Sequence, residues 1–170
     1  MSDCTARAVR EMTAFYRKTS NVVVHDSTHF LKVWAYARTI GLSEGVDPKT
    51  QKILELAAIA HDIACPICRE KYGNTNGKYQ ELEGGPLART FYQDYGLSNE
   101  ELDRIVYLVS HHHTYTGVDG MDYQILLEAD FLVNADESAM KEDAIRAFRD
   151  KLFRTKTGLA LLQDLFPVEQ

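Results

Sequence analysis

Apolar residues recur at steps of three and four along most of the chain, so the pattern predicts helices nearly throughout. Residues 3–18 read as a first amphipathic helix, and Val22, Val23 and Val24 form the one β-branched run, too short to count as a strand. From about Ser27 a second helix sets His29, Val33, Tyr36, Ala37 and Ile40 on one face, and Gly41 is expected to close it. Asp47 before Pro48 predicts an N-cap with proline at the first helical position, and Leu54, Ala57, Ala58 and His61 continue one stripe of the helix that follows. Residues 64–85 contain Cys65, Pro66, Cys68, Gly73, Asn74, Asn76, Gly77, Gly84 and Gly85, a density of breakers that predicts a long loop of functional character. Pro86 restarts a helix that Gly96 stops. Ser98 and Glu101 then make a capping box for a helix with Leu102, Ile105, Val109 and His112 on one face and Val106, Val109 and His113 on the neighbouring stripe. After a polar turn at 114–122, another helix carries Tyr123, Leu126, Leu127, Asp130 and Val133. From about Lys141, Ile145, Phe148, Leu152, Leu159 and Leu162 mark one or two closing helices, about 141–166, interrupted near Gly158. The expected fold is an all-α bundle of about six or seven helices.

Composition narrows the class. A chain of 170 residues, 45% apolar and 26% charged, fits one globular domain spanning 1–170 with a sizeable core, and excludes disordered and fibrous classes. Asp plus Glu number 25 against 19 Lys plus Arg, a net charge of −6, which is the wrong sign for a protein that neutralises nucleic-acid phosphates. A small soluble partner is expected, with no nucleic-acid polymer. No apolar run reaches the roughly 20 residues of a membrane span, and the first twenty residues lack the apolar core of a secretion signal. Three cysteines, an odd number, suit a reducing compartment. The expected location is therefore cytoplasmic.

The chemistry lies in the histidines. Six occur, at 25, 29, 61, 111, 112 and 113, and several stand where an apolar helix face ends, while Asp130 lies within an apolar stripe. Turning ionisable groups inward unpaired costs several kcal/mol. One divalent ion would partner His29, His61 with Asp62, the 111–113 run and Asp130 together.

These residues resemble the HD-domain superfamily of metal-dependent phosphohydrolases, in which a His, a His-Asp doublet and a distal Asp lie on helices of one bundle. Here they are His29 in HFLKVWAYA, His61-Asp62 in AAIAHDI and Asp130 in LLEADFLVNAD, and the resemblance covers about residues 21–137. It implies an all-α bundle around a buried metal, with His29, His61, Asp62 and Asp130 as ligands. In relatives with two metals, further ligands precede a Gly-Pro pair and end a following helix. The counterparts are Glu83, ahead of Gly84-Gly85-Pro86, and His112 or His113. Glutamate stands where histidine is common and one glycine is extra, so Glu83 is expected to orient or deprotonate a water instead. Asp62 would bridge a second ion, and His112 or His113 would bind that ion or protonate the leaving group.

Mixed imidazole and carboxylate ligation suits Mn²⁺, Fe²⁺, Ni²⁺ or Mg²⁺ with open positions for water. The expected substrate is a phosphate ester of a nucleotide or related small molecule, gripped by Arg69, Lys71 or Lys78 from the expected loop, or by Lys32 one turn beyond His29. Tyr72, Tyr79, Tyr107 and Tyr115 are candidates to stack on a base. Two other readings remain at this stage, an oxygenase with two irons on nearly the same residues and a non-catalytic metal- or nucleotide-sensing module. The Cys65-Pro66-Ile67-Cys68 pair reads as two thiols near the metal rather than half of a zinc site. His25-Asp26 reaches the site mouth or caps a helix.

Overall fold

The computed structural model describes residues 4–167; residues 1–3 and 168–170, which include the start of the helix expected at 3–18, lie outside them. Among the described residues there are nine helices and no strand. They are α1 (Cys4–Thr19), α2 (Val23–Ser43), α3 (Pro48–Ala60), α4 (Cys65–Tyr72), α5 (Gly77–Tyr92), α6 (Asn99–Val109), α7 (Met121–Glu137), α8 (Glu142–Leu152) and α9 (Lys156–Leu165). The all-α expectation is met, with more helices than the six or seven expected.

Local chemistry explains most of the boundaries. Asp47 accepts from the backbone N–H groups of Lys49 and Thr50 and starts α3, and Ser98 with Glu101 forms the complete capping box of α6. α2 packs along both α3 and α7, and these three helices form the centre. Ile40, Leu54, Leu56, Ile59, Leu126 and Ala129 are buried there without exposed surface. Burial of such side chains from all sides, rather than one amphipathic face, is what the low polarity of α3 and α7 reflects.

Several boundaries correct the sequence expectation. The 64–85 segment is not a loop: α4 begins at Cys65, ends where Gly73 takes the left-handed conformation (φ 69°), and after a short turn Asn76 caps α5. The breakers inside α5 serve close packing. A Cβ at Gly84 would lie 3.0 Å from Val109 Cγ1, and one at Gly85 only 2.2 Å from Ser110 Oγ, so these glycines let α5 approach the end of α6. Pro86 lies within this helix instead of starting it. Gly41 likewise does not close α2. It is where α2 crosses α3, since a Cβ there would meet Gln51 Oε1 at 2.1 Å. α2 also begins at Val23 rather than Ser27, because Ser20 Oγ accepts from Val22 N–H while donating to Asp26 and so organises the entry turn. The C-terminal break falls at 153–155, where Thr155 caps α9; Gly158 sits in the first turn against the buried Glu128.

Candidate metal centre

Four segments converge on one point. His29 comes from α2, His61 and Asp62 from the tight turn joining α3 to α4, His112 and His113 from the turn after α6, and Asp130 from α7. His61 and His112 are fully buried, and His29 and Asp130 nearly so. The hydrogen bonds of the Nδ1 atoms define what the rings offer. His61 Nδ1 donates to Ala58 O (2.7 Å) and His112 Nδ1 to Val109 O (2.8 Å), each three residues back, while His29 Nδ1 faces Glu137 Oε2 at 2.8 Å. The Nε2 atoms are thereby turned inward, toward one another and toward Asp62 and Asp130.

Their distances describe two adjoining ligand groups. His29 Nε2 lies 3.1 Å from His61 Nε2, and both lie 3.4 Å from Asp130 Oδ1. Asp62 stands between the groups: Oδ2 is 3.3 Å from His29 Nε2, and Oδ1 is 3.6 Å from His61 Nε2 and 3.4 Å from His112 Nε2. His29, His61 and Asp130 thus form one set of convergent donors, and Asp62, His112 and His113 a second. His112 Nε2 and His113 Nε2 are buried and have no hydrogen-bond partner. Four imidazoles and two carboxylates converge there, and the His112 and His113 Nε2 atoms lack a hydrogen-bond partner among the described residues, so the donor set fits divalent cations.

Electrostatics points the same way. Burial lowers the basicity of His29, but the Asp130 hydrogen bond and the Asp62 charge outweigh it and push its pKa up to about 10. Burial would raise Asp62, yet His61, His112 and His29 hold it well below the usual carboxylate range. Asp130 is lowered in the same manner by His29 and His61 against its burial. His113 is pushed down to about 4, by burial and then by His112, and is a neutral imidazole. Anionic carboxylates facing this many imidazoles create a strong local preference for positive charge.

The site opens into a polar cavity of about 300 Å³, lined by His29, Asp62 and His113 and by residues that sequence reasoning left aside, among them Thr75, Gln80 and Asn134. Asn134 Nδ2 donates to Asp130 Oδ1 (2.8 Å), and Glu137 holds His29. Both had a legible signal, since 130, 134 and 137 fall on one stripe of α7. Glu81 was missed without such a signal; its Oε1 accepts from His113 N–H (3.0 Å) and Thr114 Oγ1 (2.9 Å) and pins the histidine turn.

The cation candidates separate sharply. Arg69 lines the cavity. Lys71 and Lys78 do not: Lys71 pairs with Glu83 (3.1 Å), and Lys78 lies over the Tyr79 ring. Lys32 binds Glu137 from outside. Glu83 is also absent from the cavity wall, its carboxylate taken by Lys71 and by Tyr72 Oη (2.7 Å). The expectation that it faces the metal site is corrected by its position on α5, two residues past Glu81, on a different face of the helix. Of the four tyrosines, Tyr115 alone lines the cavity; Tyr72 and Tyr79 stack on each other and Tyr107 on His111. His111 bonds Tyr107 O and takes no part in either ligand group. Cys65 and Cys68, at the start of α4, form no disulfide; Cys65 Sγ donates to Gln80 Oε1 (3.4 Å), and burial pushes both thiols up in pKa, so they rest as thiols rather than as activated thiolates.

Comparison with known proteins bears on the fold and the family. A solved structure of a predicted HD superfamily hydrolase from an uncultured Thermotogales bacterium superposes with a TM-score of 0.68 over 93% of this chain and 84% of that one, at 21% identity. That likeness shows the shared fold. No curated protein matches the chain. The family model for the HD domain matches residues 26–145, a span that holds all six residues of the two ligand groups. The chain therefore belongs to the HD domain family.

Proposed function

We propose that this protein is a metal-dependent hydrolase that cleaves a phosphate ester of a nucleotide or related small molecule, residues 1–170 working as one HD-type domain. The observation that carries the reading is the pair of ligand groups meeting at Asp62 on the floor of a cavity. His29, His61, Asp62 and Asp130 would hold a first divalent ion of the Mn²⁺, Fe²⁺, Ni²⁺ or Mg²⁺ class, and Asp62, His112 and His113 would offer a second position. A bound divalent ion lowers the pKa of water and takes up charge on a phosphoryl oxygen. Asp62, reaching both groups, orients the attacking water. Glu137 and the Ala58 and Val109 carbonyls engage the Nδ1 atoms and so aim the imidazole Nε2 atoms at the ion, and Asn134 keeps Asp130 in place. Arg69 supplies positive charge from the wall. The cavity and the family of the hydrolase neighbour support turnover over a purely structural or sensing role.

Two complete ligand groups also keep a second reading in view, oxidation of a carbon substrate with O₂ by two irons. One experiment separates them: metal analysis of protein purified without a metal-affinity tag, followed by phosphate release from a nucleotide panel with each metal restored. Bound metal with phosphate release is expected. Two irons without phosphate release would transfer the assignment to oxidation, and neither metal nor release would leave the family assignment describing the fold alone.

A further inference from the structure

The cavity contains three carboxylates on its wall, Asp26, Asp62 and Glu137, and one Lys or Arg, which is Arg69. Arg69 is built in rather than loosely placed. Its side chain is three-quarters buried, and Nη1 and Nη2 donate to Asp26 Oδ2 (3.0 Å) and Oδ1 (2.6 Å). Asp26 is itself buried and receives a further hydrogen bond from Ser20 Oγ (2.6 Å), so the carboxylate that grips the guanidinium is held from behind. Asp26 lies on the first turn of α2, one turn before His29, and Arg69 lies on α4, which starts three residues after Asp62. The pair therefore joins α2, which carries His29, to the helix that follows the His61-Asp62 turn.

A guanidinium has five N–H donors, and Asp26 takes two of them. No other acceptor among the described residues takes the remaining three. A planar fork fixed along one edge by a carboxylate presents its other edge as a preoriented donor pair, the arrangement that suits two oxygens of one phosphoryl group. The other cations near the site are engaged elsewhere, Lys32 with Glu137 and Lys71 with Glu83. Arg69 is the one Lys or Arg on the cavity wall, so the protein offers a single fork for phosphoryl oxygens rather than a row of cations along a polyphosphate chain.

We propose that Arg69, steered by Asp26, is the anion-reading residue of this cavity, and that the substrate has a single terminal phosphoryl group whose non-bridging oxygens take the free edge of its guanidinium. The inference rests on the phosphate-ester reading and deepens it. Asp26 acts as a positioning residue, through Arg69.

The test is equilibrium binding of inorganic phosphate to the metal-loaded protein, with metal content measured on every sample. Arg69→Gln is expected to raise the phosphate Kd about tenfold with unchanged metal content. Because that variant leaves Asp26 charged without its partner, the double variant Asp26→Asn with Arg69→Gln removes both charges, and it should bind phosphate as weakly as Arg69→Gln. Asp26→Asn alone should weaken phosphate binding by releasing the fork, whereas a merely structural role would move the melting temperature and leave the phosphate Kd alone. A nucleoside monophosphate should displace the bound phosphate, and the Mg²⁺ complex of the matching triphosphate should not. Wild-type phosphate affinity in Arg69→Gln and in the double variant, or equal displacement by the triphosphate, would overturn the inference and leave the hydrolase reading standing. If the wild-type, metal-loaded protein binds no phosphate, the inference falls, while the hydrolase reading is decided by the phosphate-release assay.

Discussion

The residues that hold the candidate ligands matter as much as the ligands. Glu137 touches no other member of the two ligand groups than His29, yet its Oε2 lies 2.8 Å from His29 Nδ1 and thereby decides which ring nitrogen faces inward. Glu137→Gln should weaken the affinity for the first ion by about tenfold or more while leaving the helical content unchanged, read by metal titration and circular dichroism. His61→Ala goes further, because it removes a fully buried donor shared between Asp62 and Asp130. Metal uptake and turnover should be lost in a protein that remains helical. Retention of full metal content would show that the ion is held elsewhere. At this scale His29, His61 and Asp130 were legible as ionisable groups on apolar stripes, and Asp62 as the partner of His61 in the doublet. The assignment of both His112 and His113 was not, since neighbouring stripes of one helix give no ground for choosing, and it is the non-helical turn after α6 that swings both rings into one group.

Between elements, glycines govern how closely α5 meets the histidine turn. A Cβ at Gly77 would lie 2.7 Å from His113 Cγ, so the first residue of α5 rests on the ring. Gly77→Ala should displace that imidazole and reduce occupancy of the second metal position while the first is retained; in a His113→Ala background it should change metal content no further. Ser98→Ala provides the contrast. It removes the capping box of α6 far from the cavity and should destabilise the fold by about 1 kcal/mol in denaturant unfolding, with metal content unaffected. Caps such as Asp47 and Ser98 are readable because each acts on N–H groups two or three residues away. The helices α4 and α5 were not readable, because their glycines and proline carry breaker propensity that tertiary contact overrides: the missing Cβ atoms make room for Val109 and Ser110, and that packing exists only once α6 is in place.

For the whole molecule, the buried histidines and carboxylates couple metal binding to stability. Ions that bind the folded arrangement and not the unfolded chain stabilise by about 2.7 kcal/mol at a free concentration of about 100 times Kd. A chelator should therefore lower the melting temperature of wild type markedly and that of His61→Ala little, in paired thermal scans. The polar network around Glu128 offers an independent check on the C-terminal helices: Glu128 is fully buried and accepts from Arg154 N–H, Thr155 N–H and Thr155 Oγ1. Glu128→Ala should cost about 3 kcal/mol by stranding those donors, with the chelator effect preserved. Periodicity, caps and the inward histidines are local or single-helix properties, and by themselves they determined an all-helical fold with ionisable groups turned inward, among which the resemblance to the HD domain picked out His29, His61-Asp62 and Asp130. Which cation reaches the cavity, which glutamate holds the histidine turn, and whether a breaker ends a helix or lets two helices touch were decided only by tertiary structure. Those outcomes depend on contacts between residues far apart in the chain, where side-chain direction and backbone approach, rather than residue type, select the partner.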